Sequence, residues 1–322
     1  MKYTFLLPAY KGKYLSEMLR SIAGQTYTDF KVIISDDCSP EDLWSICKPF
    51  LADPRFTYRR NEKNMGATSL VSHWNLLLSL CDTEFCVMAS DDDVYEPTFL
   101  EEMDKLVVKY PQCDLFHARC WLIDGKGEII KKDAAYEEYV PQIEYLSFWG
   151  EKDHIECIAN YIYRTTRLRE VGGFVDLPLA WTSDTATDNF MSVNGCATSG
   201  KILFNFRMSG YNISSVASDS RERMKQKMKS CLAFGRMVSK LINELEQKLP
   251  NSKLVAHQLQ KARWAQNQVS YQSILFYSRA LPLPSLIRLI KESKRAGIIS
   301  SRYDVYRIFA KWLYERKFWM RK

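Results

Sequence analysis

Long apolar runs are missing from this 322-residue chain, and none approaches the roughly 20 residues that a membrane-spanning helix needs. The first residues also lack the extended apolar region and the small-residue cleavage site of a signal peptide. We therefore expect neither a spanning segment nor a secretory leader. The expected location is the cytoplasm.

Cysteine motifs are equally scarce. The nine cysteines are odd in number and scattered, no Cys-x-x-Cys pair occurs, and none stands with a histidine at zinc-finger spacing. This distribution argues against a disulfide framework and against a structural zinc site. It predicts reduced thiols in the core of a cytosolic protein.

Charge is unevenly distributed along the chain. Residues 285–322 carry eleven Lys and Arg against three acids, which is +8; the whole chain is +7, so residues 1–284 sum to about −1. Aromatic residues alternate with the basic ones in this tail, a pattern typical of helices that bind membrane surfaces. We expect peripheral binding to the inner face of the plasma membrane. The alternative is a C-terminal helix that packs on the protein with a solvated basic face, and no nucleic-acid motif supports binding to nucleic acid.

The first 110 residues alternate short apolar strands with amphipathic helical patterns. Apolar strands are predicted at 3–8, 30–35, 56–59 and 85–89, and a helical pattern follows each of them. Such a β-α alternation predicts an α/β fold with a mainly parallel central sheet flanked by helices. Two long helical patterns, 220–247 and 254–279, precede the basic tail. We therefore predict a first domain at 1–215 and a helical C-terminal region at 216–322.

An acidic triplet follows the fourth predicted strand. The strand ends at Ala89 and Asp91–Asp93 come directly after Ser90, before Pro97 opens a helix. Adjacent carboxylates repel one another unless a cation neutralises them, and Mg²⁺ or Mn²⁺ carrying phosphate oxygens does this well. An isolated acidic turn in solvent is the alternative, but the position after a buried strand favours a ligand site.

The same edge of the sheet should collect the ends of the other strands. Pro8–Tyr10 end the first strand, and Asp36 and Asp37 end the second. Because right-handed crossovers bring these ends together, we expect them to converge on the acidic triplet.

Taken in order, these motifs resemble a known family. The set is Pro8-Ala9-Tyr10, Asp36-Asp37, Asn64-x-Gly66, the Asp91–Asp93 triplet with Glu96-Pro97, and Gly172-Gly173-Phe174 followed by an acidic segment. It resembles the inverting glycosyltransferases of family 2, which have the GT-A fold, over residues 1–215. The family's metal motif is often Asp-x-Asp, whereas Ser90 here occupies what is commonly an acid.

The resemblance implies roles for individual residues. It places Asp92 and Asp93 at a Mg²⁺ or Mn²⁺ ion, with Asp92 as the direct ligand. It implies a catalytic base after the Gly-Gly-Phe segment, for which Asp184 and Asp188 compete. The residues that it assigns to the nucleotide-sugar donor are Pro8, Ala9, Tyr10, Asp36, Asn64, Gly66, Asp91 and Arg207. Asp36 and Asp37 have the alternative of capping a helix beside Ser39, and Asn64 and Gly66 that of an ordinary turn.

The expected function is metal-dependent, inverting transfer of a sugar from a nucleotide-sugar donor. A glycan or lipid-linked hydroxyl would accept it, in surface polysaccharide synthesis, and a UDP-sugar is the default donor in such relatives. One alternative is a sugar nucleotidyltransferase, but Pro8–Lys13 is not the glycine-rich loop that such enzymes place after their first strand. Another is a non-catalytic adaptor protein that binds nucleotide-sugar and membrane.

Overall fold

The computed structural model describes residues 1–148, 153–208, 210, 220–278, 281–299 and 301–319. The predicted domain boundary between 215 and 216 lies outside the described residues, as do the last three residues of the basic tail.

Ten β-strands in the described part of the chain form one sheet. Their bounds are β1 Tyr3–Ala9, β2 Phe30–Asp36, β3 Phe56–Arg60, β4 Phe85–Met88, β5 Val94–Tyr95, β6 Leu115–Asp124, β7 Ile129–Lys132, β8 Tyr139–Val140, β9 Tyr161–Arg164 and β10 Cys196–Met208. The order across the sheet is β3-β2-β1-β4-β9-β6-β10-β5, with β7 on β6 and β8 on β10.

The longest ladders of this sheet are parallel. β1 pairs in parallel with β2 from Tyr3 opposite Phe30 to Ala9 opposite Asp36, and β4 flanks β1 on its other side. The long β10 also runs parallel to β6, whereas β9 is antiparallel to both β4 and β6. The mainly parallel α/β fold is thereby confirmed.

Helices follow the strands as the periodicity predicts. They are α1 Leu15–Ala23, α2 Leu43–Cys47, α3 Leu70–Leu80, α4 Phe99–Lys109, α5 Gln142–Tyr145, α6 Thr165–Glu170 and α7 Ser183–Met191. In α1 the apolar residues at helical spacing, Leu15, Met18, Leu19 and Ile22, are all completely buried. Burial of such side chains stabilises the fold by about 1.5–3 kcal/mol each.

Two local predictions differ from the structure. Ser39, Pro40 and Asp42 predict a helix over residues 41–50 with Ser39 as its N-cap, but the helix begins at Leu43, and Asp42 caps it by accepting a hydrogen bond from the Ser45 amide at 3.1 Å. It also ends early, at Cys47, in a 3₁₀ segment that contains Pro49, because proline has no N–H for a continuing helix. The apolar residues 158–163 predict an extended segment, but it begins as a 3₁₀ turn at Ile158–Asn160, and β9 starts only at Tyr161.

The chain divides into two compact units. The first comprises 1–145, 153–176 and 183–212 and contains the sheet. Its core includes large aromatic side chains with no exposed surface, namely Tyr3, Phe5, Phe30, Phe85, Phe99 and Phe116.

The second unit comprises 146–152, 177–182 and 213–322, and helices dominate it. They are α8 Arg221–Lys248, α9 Lys253–Tyr277, α10 Leu283–Arg295 and α11 Arg302–Trp319. α8 and α9 are capped by Ser220 and Ser252. In each case the serine hydroxyl accepts a hydrogen bond from the backbone amide three residues later. Among the described residues, no helix combines the length and the apolar character needed to cross a bilayer.

Candidate functional site

The strand ends converge as predicted. The Asp91 carboxylate accepts hydrogen bonds from the amides of Tyr10 and Lys11, both at 2.8 Å, just after β1. The Asp37 amide donates to the Ala9 carbonyl at 2.8 Å, so the end of β2 joins the same place. Burial raises the pKa of Asp91 to about 6, and the two amide bonds oppose that rise.

Asp93 turns into the protein. One of its oxygens accepts the Arg207 amide at 2.8 Å and the other accepts the Ser90 hydroxyl. Burial, with the neighbouring Asp92 charge, raises the pKa of Asp93 well above its usual range. These hydrogen bonds fix the conformation of the Asp91–Asp93 segment.

Arg207 is also buried, and it is the penultimate residue of β10. Its Nε donates to the Asp92 carbonyl at 2.7 Å, its guanidinium lies 2.9 Å from the Glu17 carboxylate, and the same group lies over the Tyr14 ring. These contacts favour a supporting role for Arg207 beneath the triplet. A direct contact between Arg207 and a diphosphate stays a prediction.

The donor set at the triplet fits a divalent ion that arrives with its substrate. Asp91 is occupied by backbone amides and Asp93 faces inward, whereas Asp92 is only half-buried at the sheet edge. In the part of the chain that the structure describes, no cluster of three or more His, Cys, Asp or Glu could hold a metal alone. Mg²⁺ is commonly held by one or two carboxylates together with substrate phosphates, so Asp92 and the phosphates of a substrate would suffice.

Asp36 lies buried at the end of β2. One oxygen accepts the Ser39 amide at 2.8 Å, and the other accepts the Tyr58 hydroxyl at 2.6 Å and a bond from Arg60. The Ser39 hydroxyl in turn donates to the Tyr10 carbonyl at 2.6 Å. Asp36 therefore organises the wall of the site, and its contact with the nucleotide stays a prediction.

Asp37 shapes the neighbouring loop. Its carboxylate accepts the Asn61 side chain at 2.8 Å, the Met65 amide at 2.9 Å and the Gly66 amide at 2.7 Å. A Cβ on Gly66 would lie 3.0 Å from the same carboxylate, which explains the glycine by close approach. Asn64 accepts the Ala67 amide at 2.8 Å and so closes the turn.

The Gly-Gly-Phe segment is fixed by one amide side chain. Asn75 of α3 donates to the Phe174 carbonyl at 2.9 Å and accepts the Phe174 amide at 2.8 Å. Gly173 has φ +86°, and a Cβ there would lie 2.5 Å from the Asn75 Oδ1. The following amide, of Val175, donates to the Thr187 hydroxyl at 3.0 Å, which ties the segment to α7.

The two candidate bases lie on α7. Asp184 is half-buried in the first turn, where its carboxylate accepts the Thr185 amide at 2.9 Å, and burial raises its pKa. Asp188 is completely buried one turn later and accepts the Tyr163 hydroxyl at 2.7 Å. Burial and the adjacent Glu156 raise the pKa of Asp188 well above its usual range.

No sequence motif marks Glu156 as a site residue. This residue lies in an irregular stretch before β9, and its side chain is only 5% exposed. Burial raises its pKa to about 8. An acid between two apolar neighbours, Ile155 and Cys157, was the one available hint.

Comparison with known proteins decides the family. The sequence profile of glycosyl transferase family 2 matches residues 4–172, more than half of the chain. The chain belongs to glycosyl transferase family 2. The matched region contains β1–β4, the acidic triplet and Gly172.

Curated relatives of this family 2 chain match over part of their length. The poly(ribitol-phosphate) beta-N-acetylglucosaminyltransferase TarS of Staphylococcus aureus MW2 is 24% identical over 173 residues, which is 53% of this chain and 29% of TarS. The putative colanic acid biosynthesis glycosyl transferase WcaA of Escherichia coli K12 is 30% identical over 126 residues, 38% of this chain and 42% of WcaA. The family 2 chain thus spans less than half the length of these relatives.

Solved structures share the fold of the family 2 chain. Residues 1–349 of S. aureus TarS in complex with UDP-GlcNAc give a TM-score of 0.60 at 16% identity, covering 97% of this chain and 89% of that one. The mannosyltransferase PcManGT of Pyrobaculum calidifontis, in complex with GDP-Man and Mn²⁺, gives 0.53 at 13% identity, covering 97% and 85%.

Proposed function

We propose that this family 2 chain transfers a sugar from a nucleotide-sugar donor to a hydroxyl of a glycan or lipid-linked acceptor, as a hexosyltransferase. The observation that carries the proposal is the convergence of the strand ends. Asp91 binds the Tyr10 and Lys11 amides and leaves Asp92 half-buried beside them. This is the strand edge at which open α/β sheets bind nucleotides.

The donor would lie along Pro8–Tyr10, Asp36 and the Asn64–Gly66 loop. A Mg²⁺ or Mn²⁺ ion at Asp92 would screen the charge that grows on the leaving diphosphate. Asp91 and Asp93 hold the Asp92 backbone in place through the Tyr10 and Arg207 amides. A related fold binds UDP-GlcNAc and another binds GDP-Man with Mn²⁺, so UDP is the first base to test and GDP the second.

Asp184 would act as the base. It sits in the first turn of α7, where its raised pKa keeps a carboxylate of useful basicity. Removing a proton from the acceptor hydroxyl lets that oxygen attack the anomeric carbon as the bond to the diphosphate breaks. With attack opposite the leaving group, the anomeric configuration inverts.

The first test of the donor site is thermal unfolding with UDP, GDP, CDP and dTDP, each with and without Mn²⁺. A ligand at a hundredfold over its dissociation constant stabilises the native state by about 2.7 kcal/mol. We expect one nucleotide to stabilise the protein in a Mn²⁺-dependent manner, and the Asp92→Asn variant to lose that dependence. Glu170→Gln, at an exposed acid of α6, is the matched control. Thermal unfolding curves that are the same with all four nucleotides, both with and without Mn²⁺, would contradict the proposed site.

Asp184→Asn tests catalysis separately from binding. An enzyme should lose turnover by on the order of 10²–10⁴ while it keeps nucleotide-dependent stabilisation. Stabilisation without turnover in the wild type, across sugar nucleotides and acceptors, would favour the adaptor. Formation of a sugar nucleotide from a sugar phosphate and a nucleoside triphosphate would favour the nucleotidyltransferase.

We also propose that α11 binds an anionic membrane surface on the cytoplasmic side, where a lipid-linked acceptor of polysaccharide synthesis would be presented. One face of α11 packs in the second unit through Ile308 and Trp312, which are nearly inaccessible. Its opposite face exposes Tyr303, Tyr306 and Tyr314, each by 66–73%, among the basic residues of the tail.

Co-sedimentation with vesicles tests this surface. We expect binding to vesicles of phosphatidylcholine with phosphatidylglycerol, weaker binding to phosphatidylcholine alone, and loss of binding when the three exposed tyrosines are changed to serine. Trp264→Ser, at an exposed aromatic of α9, is the control. Equal binding by the triple variant and the control would argue against the α11 surface.

A further inference from the structure

Two buried carboxyl groups lie close to each other and near the candidate base. The carboxyl group of Glu156, just before the 3₁₀ turn that leads to β9, lies within hydrogen-bonding reach of the carboxyl group of Asp188 on α7. Both lie within the first compact unit. Two carboxylates at hydrogen-bonding distance repel each other strongly when both are ionised.

Hydrogen bonds from other side chains reach the outer ends of this pair. The Tyr163 hydroxyl donates to Asp188 Oδ1 at 2.7 Å, and His154 Nε2 lies 2.7 Å from Glu156 Oε2. His154 Nδ1 lies 2.6 Å from the Tyr136 hydroxyl, so the hydrogen-bond network extends to Tyr136. The pair is therefore supported at both ends by neutral or cationic donors.

The inner oxygens have no such support. Glu156 Oε1 and Asp188 Oδ2 are buried, and neither has a hydrogen-bond donor among the described residues. A proton shared between the two carboxyl groups satisfies both oxygens at once. Without that proton, two buried anions would face each other with nothing between them.

Apart from His154, the described groups whose charges act on Glu156 and Asp188 are acids and not cations. The ionisable groups that face it, besides His154, Tyr136 and Tyr163, are Asp133, Asp184, Tyr145, Tyr161 and Cys196. Burial is the main cause that raises the pKa of Glu156 and that of Asp188, and their mutual repulsion raises the latter further.

The pair lies one helical turn from Asp184. Asp184 and Asp188 are four residues apart on α7, so their side chains share one face of the helix. A second negative charge at Asp188 would raise the pKa of Asp184 by repulsion. A neutral carboxyl there leaves Asp184 as the ionised group of the two.

We propose that Glu156 and Asp188 hold one proton between them, and that this pair is a positioning device for Asp184, with Asp188 taking no part as the base. Glu156 acts through Asp188, and Asp188 acts through the α7 backbone that carries Asp184. The role in catalysis rests on the proposed function, whereas the shared proton does not.

Infrared difference spectroscopy tests the shared proton without any substrate. At neutral pH the wild type minus Glu156→Gln spectrum should show the C=O band of a protonated carboxylic acid, because in the variant Asp188 accepts a bond from the amide and ionises. The wild type minus Glu170→Gln spectrum should show no such band. A missing acid band in the first spectrum would overturn the shared proton.

Turnover of UDP-GlcNAc, or of the sugar nucleotide selected by the thermal test, assays the positioning role. Asp188→Asn supplies a permanent donor to Glu156, so we expect kcat within roughly tenfold of wild type, against a loss on the order of 10²–10⁴ for Asp184→Asn. The wild-type rate should fall at alkaline pH as the pair loses its proton. Asp188→Asn and Glu156→Gln should lack that fall, and KM for the donor should stay unchanged.

Three outcomes separate the alternatives. A folded Asp188→Asn variant as inactive as Asp184→Asn would make Asp188 the base and overturn the positioning role. An alkaline fall retained in both amide variants would do the same. Full turnover in Asp184→Asn would refute the proposed base while leaving the infrared result on the pair intact.

Discussion

Replacing Glu156 with glutamine should stabilise the protein more as the pH rises. Burial raises the pKa of Glu156 from the ordinary 4.5 to about 8 in the native state. The native state therefore holds this proton more tightly than the unfolded chain, and the stability it contributes is complete below about 4.5 and is lost as the pH rises through about 8. Glutamine has no such proton to lose.

The size of the effect follows from the interval between those two values. Each pH unit within it corresponds to about 1.4 kcal/mol, so the difference in unfolding free energy between the two proteins should widen by about 3 kcal/mol across two units, with an upper limit of ~5 kcal/mol. The Asp188 pKa also falls in the variant, since its carboxylate then accepts an amide hydrogen in place of facing a second acid.

Urea unfolding at about pH 5.5, 6.5 and 7.5, followed by tryptophan fluorescence, measures this gap. Glu170→Gln on α6, where the acid is 65% exposed, should follow the wild type at every pH. A Glu156→Gln curve that runs parallel to the wild type across this range would refute the shared proton and the burial argument behind it.

Gly173→Ala should destabilise the protein by several kcal/mol, because the added methyl group would lie 2.5 Å from the Asn75 oxygen. Gly172→Ala, also at positive φ but with open space around it, should cost only ~1 kcal/mol of backbone strain. Thermal unfolding compares the two variants. Tyr163→Phe should cost about 1–3 kcal/mol, since a buried carboxyl oxygen loses its donor, and equal melting temperatures for variant and wild type would contradict this. Arg207→Lys should weaken Mn²⁺-dependent nucleotide binding, because lysine cannot contact the Asp92 carbonyl and Glu17 together; an unchanged dissociation constant by calorimetry would exclude the supporting role.

Local patterns explain why the first half of the fold was predictable. β1, β2 and β4 are short, apolar and buried, and α1 and α4 repeat apolar residues at helical spacing, so each element is encoded within its own residues. The meeting of Asp91 with the Tyr10 and Lys11 amides follows from the strand order and the right-handed crossovers.

Features that depend on distant partners were not predictable in the same way. The antiparallel β9, inserted between β4 and β6, carries no mark of its neighbours in its own sequence. The contacts of Arg207 with Asp92 and Glu17 were not predictable because neither residue lies near it in sequence, whereas its contact with a diphosphate, which the resemblance implies, stays a prediction. Glu156 could not be predicted as a site residue because its partner Asp188 lies 32 residues away in the sequence.

The two hydrogen bonds between the Asn75 side chain and the Phe174 backbone limit which substitutions this chain tolerates. One amide holds the backbone of Phe174 across 99 positions, and it fits only because residue 173 has no side chain. A substitution at either position alone leaves the other without its counterpart: a larger residue at 173 collides with the amide, and a shorter one at 75 leaves two backbone groups unpaired. Homologous chains that drift here should therefore change both positions together, and a library that randomises the two jointly should yield folded proteins that single changes never reach.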